Sequence, residues 1–206
     1  MNTQHQSSAA AEQEELFSYL KSTTGELFAK RFRSSTISLR SLDPEHDLRK
    51  IHKWVCLPYA KRFWQLDVGF AELHALYSSV MQCRHTHSIV AVYNNQLVAQ
   101  VDLYHAPADE VSKCYAAGPN DYGIHFLMAP ATERIPSFST AVFSTAVEWL
   151  FGFACVQRII GEPDSLNEKA NALVQRVGFR FQHPIALPDK LANLYFCKRS
   201  DFIPAF

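Results

Sequence analysis

His125 is the polar member of an otherwise apolar stretch, Tyr122-Gly-Ile-His-Phe-Leu-Met128. In an extended strand Gly123, His125 and Leu127 share one face, while Ile124, Phe126 and Met128 share the other. A histidine titrates near neutrality and suits general-base work. A core histidine satisfied by one hydrogen bond gives the same pattern, and the strand alone does not separate the two. Asp164 lies in Gly161-Glu-Pro-Asp-Ser-Leu-Asn167, just ahead of a helix signal. A helix N-terminus favours a carboxylate there without any chemistry. Asn167 is open to two readings, a substrate contact or a decoration of the first helical turn. Five cysteines are scattered with no CxxC pair. Their odd number and wide spacing argue against a secreted disulfide framework and against a metal or redox motif. Each reads as a small buried apolar side chain. The chain has seven glycines and neither GxGxxG nor GxxxxGK[ST], so a glycine-rich nucleotide loop has no support.

The 206 residues suffice for one domain with a substantial core. Hydrophobic residues make up 48% and aromatics 13%, a globular composition. Twenty Lys and Arg balance twenty Asp and Glu. No nucleic-acid partner is expected of such a chain, because those partners usually call for a basic excess or stripe. The first fifteen residues are polar and acidic, unlike a signal peptide. No apolar stretch is long enough to span a bilayer. A cytoplasmic location without a membrane partner is the expectation.

Periodicity supplies the elements that must position these residues. Residues 1–12 read as disordered. Leu16, Phe17, Leu20, Leu27 and Phe28 show helical spacing, so residues 1–34 read as a mobile, partly helical segment ahead of a domain at 35–206. A strand at 36–40 precedes a helix opened by Asp43-Pro44 and stopped before Pro58. A helix at 70–81 follows. Strands at 88–93 and 96–104 form a hairpin around Asn94-Asn95, which tolerate the positive φ of tight turns. After a loop at 106–120 come a strand at 122–128, an amphipathic helix at 137–151 and a strand at 156–162. The next helix has an S-x-x-E capping box at Ser165 and Glu168. Its apolar face is Leu166, Ala170, Leu173, Val174 and Val177, and Gly178 stands at its C-terminal cap. Strands at 179–183 and 193–199 close the chain. This order predicts an α/β domain: a mixed sheet with helices on both faces.

The element order resembles the GNAT acyltransferase fold, a mixed and mostly antiparallel sheet flanked by helices in a single domain. The motifs narrow the resemblance to the siderophore-type acyltransferases, both aerobactin-type hydroxylysine acetyltransferases and alcaligin-type hydroxydiamine acyltransferases. His52-x-Trp54 followed by Pro58 and Phe63-Trp64 resembles their H-x-W…P…FW signature. Ala99-Gln-Val-Asp-Leu-Tyr104 resembles A-Y-x-E-x-Y, with Asp102 for Glu. Gly123-Ile-His125-Phe-Leu resembles G-x-H-x-L, and Gly161-Glu-Pro-Asp-Ser-Leu-Asn167 matches G-E-P-D-x-x-N. Gly178-Phe179 and Leu187-Pro-Asp-Lys190 resemble the closing G-F and L-P-x-K.

The resemblance implies an acyl-CoA N-acyltransferase that converts an N-hydroxylated amine, a hydroxydiamine or hydroxylysine, to a hydroxamate in siderophore biosynthesis. Acetyl-CoA or succinyl-CoA would be the donor, with no metal. It implies His125 as general base, and Asp164 as the group that orients or charges it or positions the amine. His52, Trp54 and Trp64 would line the acceptor pocket. Asp102 would meet a distal ammonium, or be an exposed strand carboxylate. Lys190 or Arg62 would receive a succinyl carboxylate, or be a surface charge. A backbone amide of the splayed strand would hold the thioester oxygen. The family's R-G-x-G turn, which contacts the CoA pyrophosphate, is replaced by Arg134-Ile-Pro-Ser-Phe-Ser139 without glycine. CoA contacts are therefore expected from Met128, Arg134, Ser137, Phe138 and Ser139 in an altered approach, helped by free amides at a helix N-terminus. Two other readings use the same residues: a GNAT enzyme for another amine, and a non-catalytic GNAT-like binding protein. The resemblance leaves a homodimer open.

Overall fold

A computed structural model describes residues 16–131 and 133–206. Eight strands form one sheet in the order β1-β2-β3-β4-β5-β6-β8-β7. They are β1 (Glu26–Phe32), β2 (Ser35–Ser41), β3 (Thr86–Tyr93), β4 (Gln96–His105), β5 (Asp121–Met128), β6 (Arg158–Gly161), β7 (Arg180–Ala186) and β8 (Leu191–Lys198). Every neighbouring pair is antiparallel except β5 and β6, which are parallel. The mixed, mostly antiparallel sheet expected from the element order is the one found.

The N-terminal expectation needs correction. Residues 1–12, read as disordered, lie outside the described residues. Residues 16–22 do form a helix, α1, but it is part of the domain: Leu16, Phe17 and Leu20 are buried in the main core. Leu27 and Phe28 do not continue it. They belong to β1, which pairs with β2. The domain therefore includes residues that periodicity assigned to a separate segment at 1–34. Here the pairing partner decides, and a short window cannot reveal it.

On one face of the sheet, α1 packs beside α5 (Phe138–Leu150) and α6 (Glu168–Arg176). On the other lie α2 (Pro44–Val55), α3 (Pro58–Trp64) and α4 (Phe70–Gln82), over Val90 and Leu127. Helix α2 starts where Asp43-Pro44 predicts. The Asp43 carboxylate accepts from Glu45 N–H at 2.9 Å, with Pro44 in the first turn. Leu48, Ile51 and Val55 bury its apolar stripe. Arg40 of β2 clamps Asp47 through two hydrogen bonds, 2.6 and 2.7 Å, fixing α2 on the sheet. Helix α3 was not anticipated. Its seven residues are too few for a periodic signal, although Pro58 opens it and Gln65, at φ 50, ends it. In the β3–β4 turn Asn94 and Asn95 take φ 50 and 58, as their residue types suggest.

Helix α6 begins later than the S-x-x-E pattern implies. Its cap is Asn167, whose side-chain oxygen accepts from Ala170 N–H at 3.1 Å. Ser165 instead donates its N–H to Leu191 O at 2.9 Å, continuing β6 alongside β8. Leu166, placed on the apolar face by spacing, is 67% exposed. Gly178 does end the helix, at φ 95.

One irregularity shapes the rest. β5 and β6 pair only at 121–158, 122–159 and 123–160. Beyond Gly123, β5 stays with β4 as far as Met128, while the β6 chain follows β8 through Pro163 and Ser165. The sheet splits at its centre, at the carboxyl ends of its one parallel pair.

Candidate active site

Residues from both arms of the split line a cavity of about 180 Å³. Trp64, His125, Glu162, Asp164, Asn167, Asp189 and Lys190 form its polar side, and Phe126, Phe143, Leu173 and Val174 its apolar side.

At the centre is a hydrogen-bonded cluster around Glu162, the first residue past β6. Its Oε1 pairs with His125 Nε2. The same Oε1 lies 3.8 Å from the Lys190 ammonium. Its Oε2 accepts the Tyr104 O–H at 2.8 Å. The Glu162 side chain is 3% exposed and that of His125 41%, so the carboxylate is enclosed while the imidazole opens to the cavity. Nδ1 of His125 makes no hydrogen bond to the described residues.

Neighbouring strands position this cluster. Asp102 and Tyr104 on β4 stand opposite His125 and Gly123 on β5. A Cβ on residue 123 would fall 1.7 Å from Tyr104 Cζ. Glycine at that place lets the Tyr104 ring cross β5, lie tilted against His125 with centroids 5.1 Å apart and deliver its hydroxyl to Glu162. From α3, the edge of Trp64 meets His125 at 6.3 Å.

The electrostatics follow. Burial pushes the Glu162 pKa up, but His125, Lys190 and the Tyr104 hydroxyl outweigh it and hold the carboxyl at about 2. Burial disfavours the charged imidazole of His125, yet the Glu162 charge and hydrogen bond prevail and raise its pKa above 6.5. With ionised Glu162 accepting from Nε2–H, the neutral tautomer leaves the lone pair on Nδ1.

The backbone of β5 adds donors. Ala129 N–H bonds to Val98 O on β4. Antiparallel ladders alternate, so Leu127 and His125 also turn their polar groups to β4. Ile124, Phe126 and Met128 turn theirs toward the gap that β6 has left. Met128 O takes the Tyr59 O–H there at 2.8 Å. At the end of the gap stands α5. Its cap, Ser137, takes φ 63, and no side chain caps the first turn. That is the left-handed geometry glycine favours, and here a serine holds it. Arg134 is exposed and Phe138 and Ser139 are half-buried at this N-terminus.

The sites read from sequence fall into two groups. The structure brings His125, Asp164, Trp64, Asn167 and Lys190 together around the cavity. Two of these have other commitments. Asp164 does not reach His125: its Oδ1 accepts from Leu166 N–H at 2.7 Å, and Glu162, two residues earlier, is the histidine's partner. The Asn167 oxygen is spent on the helix cap. Three others stand apart. Trp54 is 7% exposed in the core beneath α2. His52 donates from Nε2 to Val68 O at 2.8 Å, tying α2 to the 65–69 loop. Asp102 accepts from Gln100 at 2.7 Å and Tyr77 at 3.2 Å, and burial raises its pKa. None of the three lines the cavity. Glu162 and Tyr104 were quoted in motifs but given no role. The available signal was an acid directly after the apolar run Ile159-Ile160-Gly161, where a strand ends.

Among the described residues no group of His, Cys, Asp and Glu could hold a metal ion, and no helix is long and apolar enough to cross a membrane.

Known proteins place the chain in a family. Residues 43–187 match the acetyltransferase (GNAT) domain family. An N-hydroxyputrescine acetyltransferase of Acinetobacter baumannii is 25% identical, over 82% of this chain and 80% of its own. An N(6)-hydroxylysine O-acetyltransferase of Escherichia coli is 20% identical over 81% of this chain, which spans only 53% of that longer protein. An aminoglycoside acetyltransferase solved in complex with coenzyme A superposes with a TM-score of 0.72 at 23% identity, covering 80% of this chain and 96% of that one, a likeness of fold. With residues 43–187 matched to that family, the chain belongs to the GNAT family and is an acyltransferase of that fold.

Proposed function

We propose that the protein transfers an acyl group from acyl-CoA to the nitrogen of an N-hydroxylated alkyl amine, forming a hydroxamate of the kind used in siderophores. The observation that carries this reading is the His125–Glu162 pair at the split between β5 and β6, with His125 Nε2 held by Glu162 and the imidazole open to the cavity. The amine nitrogen attacks the thioester carbon, and His125 Nδ1 takes the nitrogen's proton as the C–N bond forms. The oxyanion is held by an outward N–H of β5, from Ile124 or Phe126. It collapses by breaking the C–S bond, and the CoA thiolate regains a proton from the imidazolium. An N-hydroxy amine is less basic than an alkyl amine, so much of it arrives neutral and ready to attack.

The acyl-CoA would lie along the open edge of β5, its amides bonding to the outward groups of Phe126 and Met128. Its pyrophosphate would rest at the uncapped start of α5, over Ser137, Phe138 and Ser139, with Arg134 adding charge. The acceptor would enter between Trp64 and the β7–β8 turn. Asp164 and Asp189 line that mouth and offer carboxylates to a distal ammonium, the part first given to Asp102. This favours a diamine acceptor, in keeping with the hydroxyputrescine enzyme among the relatives.

A panel of acetyl- and succinyl-CoA against N-hydroxyputrescine, N-hydroxycadaverine, N6-hydroxylysine and the plain amines tests the proposal. Hydroxy amines should turn over well ahead of plain ones, and His125→Ala should lose about 10²-fold or more in rate. Equal turnover of the plain amines would refute hydroxamate formation, and an unimpaired His125→Ala would refute the base.

A further inference from the structure

Glu162 Oε1 faces two cations at once, the imidazole of His125 and, 3.8 Å away, the ammonium of Lys190. We infer that Lys190 is a positioning residue for the transfer: by drawing on the carboxylate oxygen that holds His125 Nε2, it keeps the imidazole free to take up and give back a proton rather than locked as a cation. This rests on His125 acting as the base.

The placement of Lys190 is built into the fold. It closes the two-residue turn Pro188-Asp189 between β7 and β8, where Leu187 N–H donates to Lys190 O at 2.9 Å and Lys190 N–H to Leu187 O at 3.4 Å. The turn is tied to the end of α3, because Gln65 Nε2 donates to Asp189 O at 3.4 Å. The Lys190 side chain is only 17% exposed, unlike Lys61 at 60% or Lys113 at 71%. An ammonium taken that far out of water needs a fixed partner, and Glu162 is the carboxylate that supplies one. A lysine serving only as a surface charge would remain extended into solvent.

Other groups around His125 are accounted for. Glu162 bonds to it from the end of β6, and Tyr104 and Asp102 face it from β4. Trp64 faces it from α3, and Asp164 and Asp189 line the same cavity. Among the described residues that line the cavity, Lys190 is thus the one cation besides His125 itself. With Lys190 gone, the whole Glu162 charge acts on His125, which then holds its proton more tightly.

The test uses the full chain with Lys190→Met and Lys190→Arg. Two readouts are followed against pH: the His125 ring signals by NMR, and kcat/KM with acetyl-CoA and N-hydroxyputrescine. In Lys190→Met both the NMR midpoint and the acid limb of the rate should rise, by about one pH unit. The high-pH plateau should change little, and Lys190→Arg should restore the midpoint. An unmoved or lowered midpoint in Lys190→Met overturns the inference, and if the KM for acyl-CoA then rises, the lysine is a donor contact instead. A midpoint that moves while the rate profile of no variant follows it would sink His125 as the base, and the positioning role with it.

Discussion

Replacing Glu162 by glutamine keeps the shape of the side chain and removes its charge, which isolates what the charge does. In the wild type the carboxyl is held at about 2 against an ordinary 4.5. That displacement of roughly 2.5 units corresponds to about 3 kcal/mol, the upper bound on what the ionised form contributes to stability at neutral pH. The His125 shift is the other half of the same pair and is counted once. The signs are distinct. The depressed carboxyl stabilises the fold above pH 4.5, and this is lost as pH falls toward 2. The raised imidazole stabilises it below 6.5, and this is lost as pH rises through the folded value. Urea unfolding at pH 7 should therefore find Glu162→Gln less stable by up to about 3 kcal/mol, with the gap narrowing as pH drops below 4.5. On activity, three influences are left on His125: burial and Lys190 disfavour its charge and outweigh Asp102, the smallest, which favours it. Its midpoint should fall from above 6.5 to below it, moving the acid limb of kcat/KM to lower pH, while the plateau drops about 10²-fold as a weaker, less well-held base does the work. An acid limb that stays above 6.5, with a plateau within about 3-fold of wild type, would refute the pairing as the source of the base.

Three further outcomes follow from particular contacts. Gly123→Ala places a methyl 1.7 Å from Tyr104 Cζ; the ring must swing away from Glu162, with a loss of about 1–3 kcal/mol in urea unfolding and a raised His125 midpoint by NMR, because the carboxylate loses a donor that competes with the imidazole. Ser137→Gly relieves a φ of 63 worth about 1–2 kcal/mol but adds about 1 kcal/mol of unfolded-chain freedom, so unfolding should show a gain of about 0.5 kcal/mol, with the KM for acyl-CoA unchanged or lower. His87 is fully buried and donates from Nε2 to Ser41 Oγ, whose own proton goes to Leu20 O; burial holds its pKa at about 4, so the unfolded chain binds the extra proton first. The fold should lose up to about 3 kcal/mol as pH falls from 6.5 to 4, and His87→Phe should flatten that slope.

How much of this was legible in the sequence depends on the range of the signal. Where neighbours in sequence decide the outcome, the residues were sufficient. Asp43-Pro44 starts α2, Asn94-Asn95 turns the β3–β4 hairpin and Gly178 ends α6, each through its own backbone preference. Where a distant partner decides, they were not. Leu27 and Phe28 have helical spacing but lie in a strand because β2 is beside them. Ser165 and Glu168 spell a capping box but Leu191 claims Ser165 first.

The site divides the same way. His125 was found because a polar residue interrupts an apolar alternation. Asp164 was preferred to Glu162 as its partner because a helix start is visible in sequence, whereas the burial of an acid at the end of a parallel strand is not. The split of the sheet explains why Glu162 is the residue that counts. Past Gly161 the chain leaves β5 to follow β8, so the first side chain beyond the strand is the one turned back across the gap. It meets His125 from β5, Tyr104 from β4 and Lys190 from the β7–β8 turn. Three other segments converge on one carboxylate, and their reasons to be there are only partly chemical: Gly123 is small so that Tyr104 can cross, and the Pro188-Asp189 turn is tight so that Lys190 can bend inward. A functional residue whose environment is assembled in this way leaves little trace in its own neighbourhood. Its mark is in the residues that make room for it.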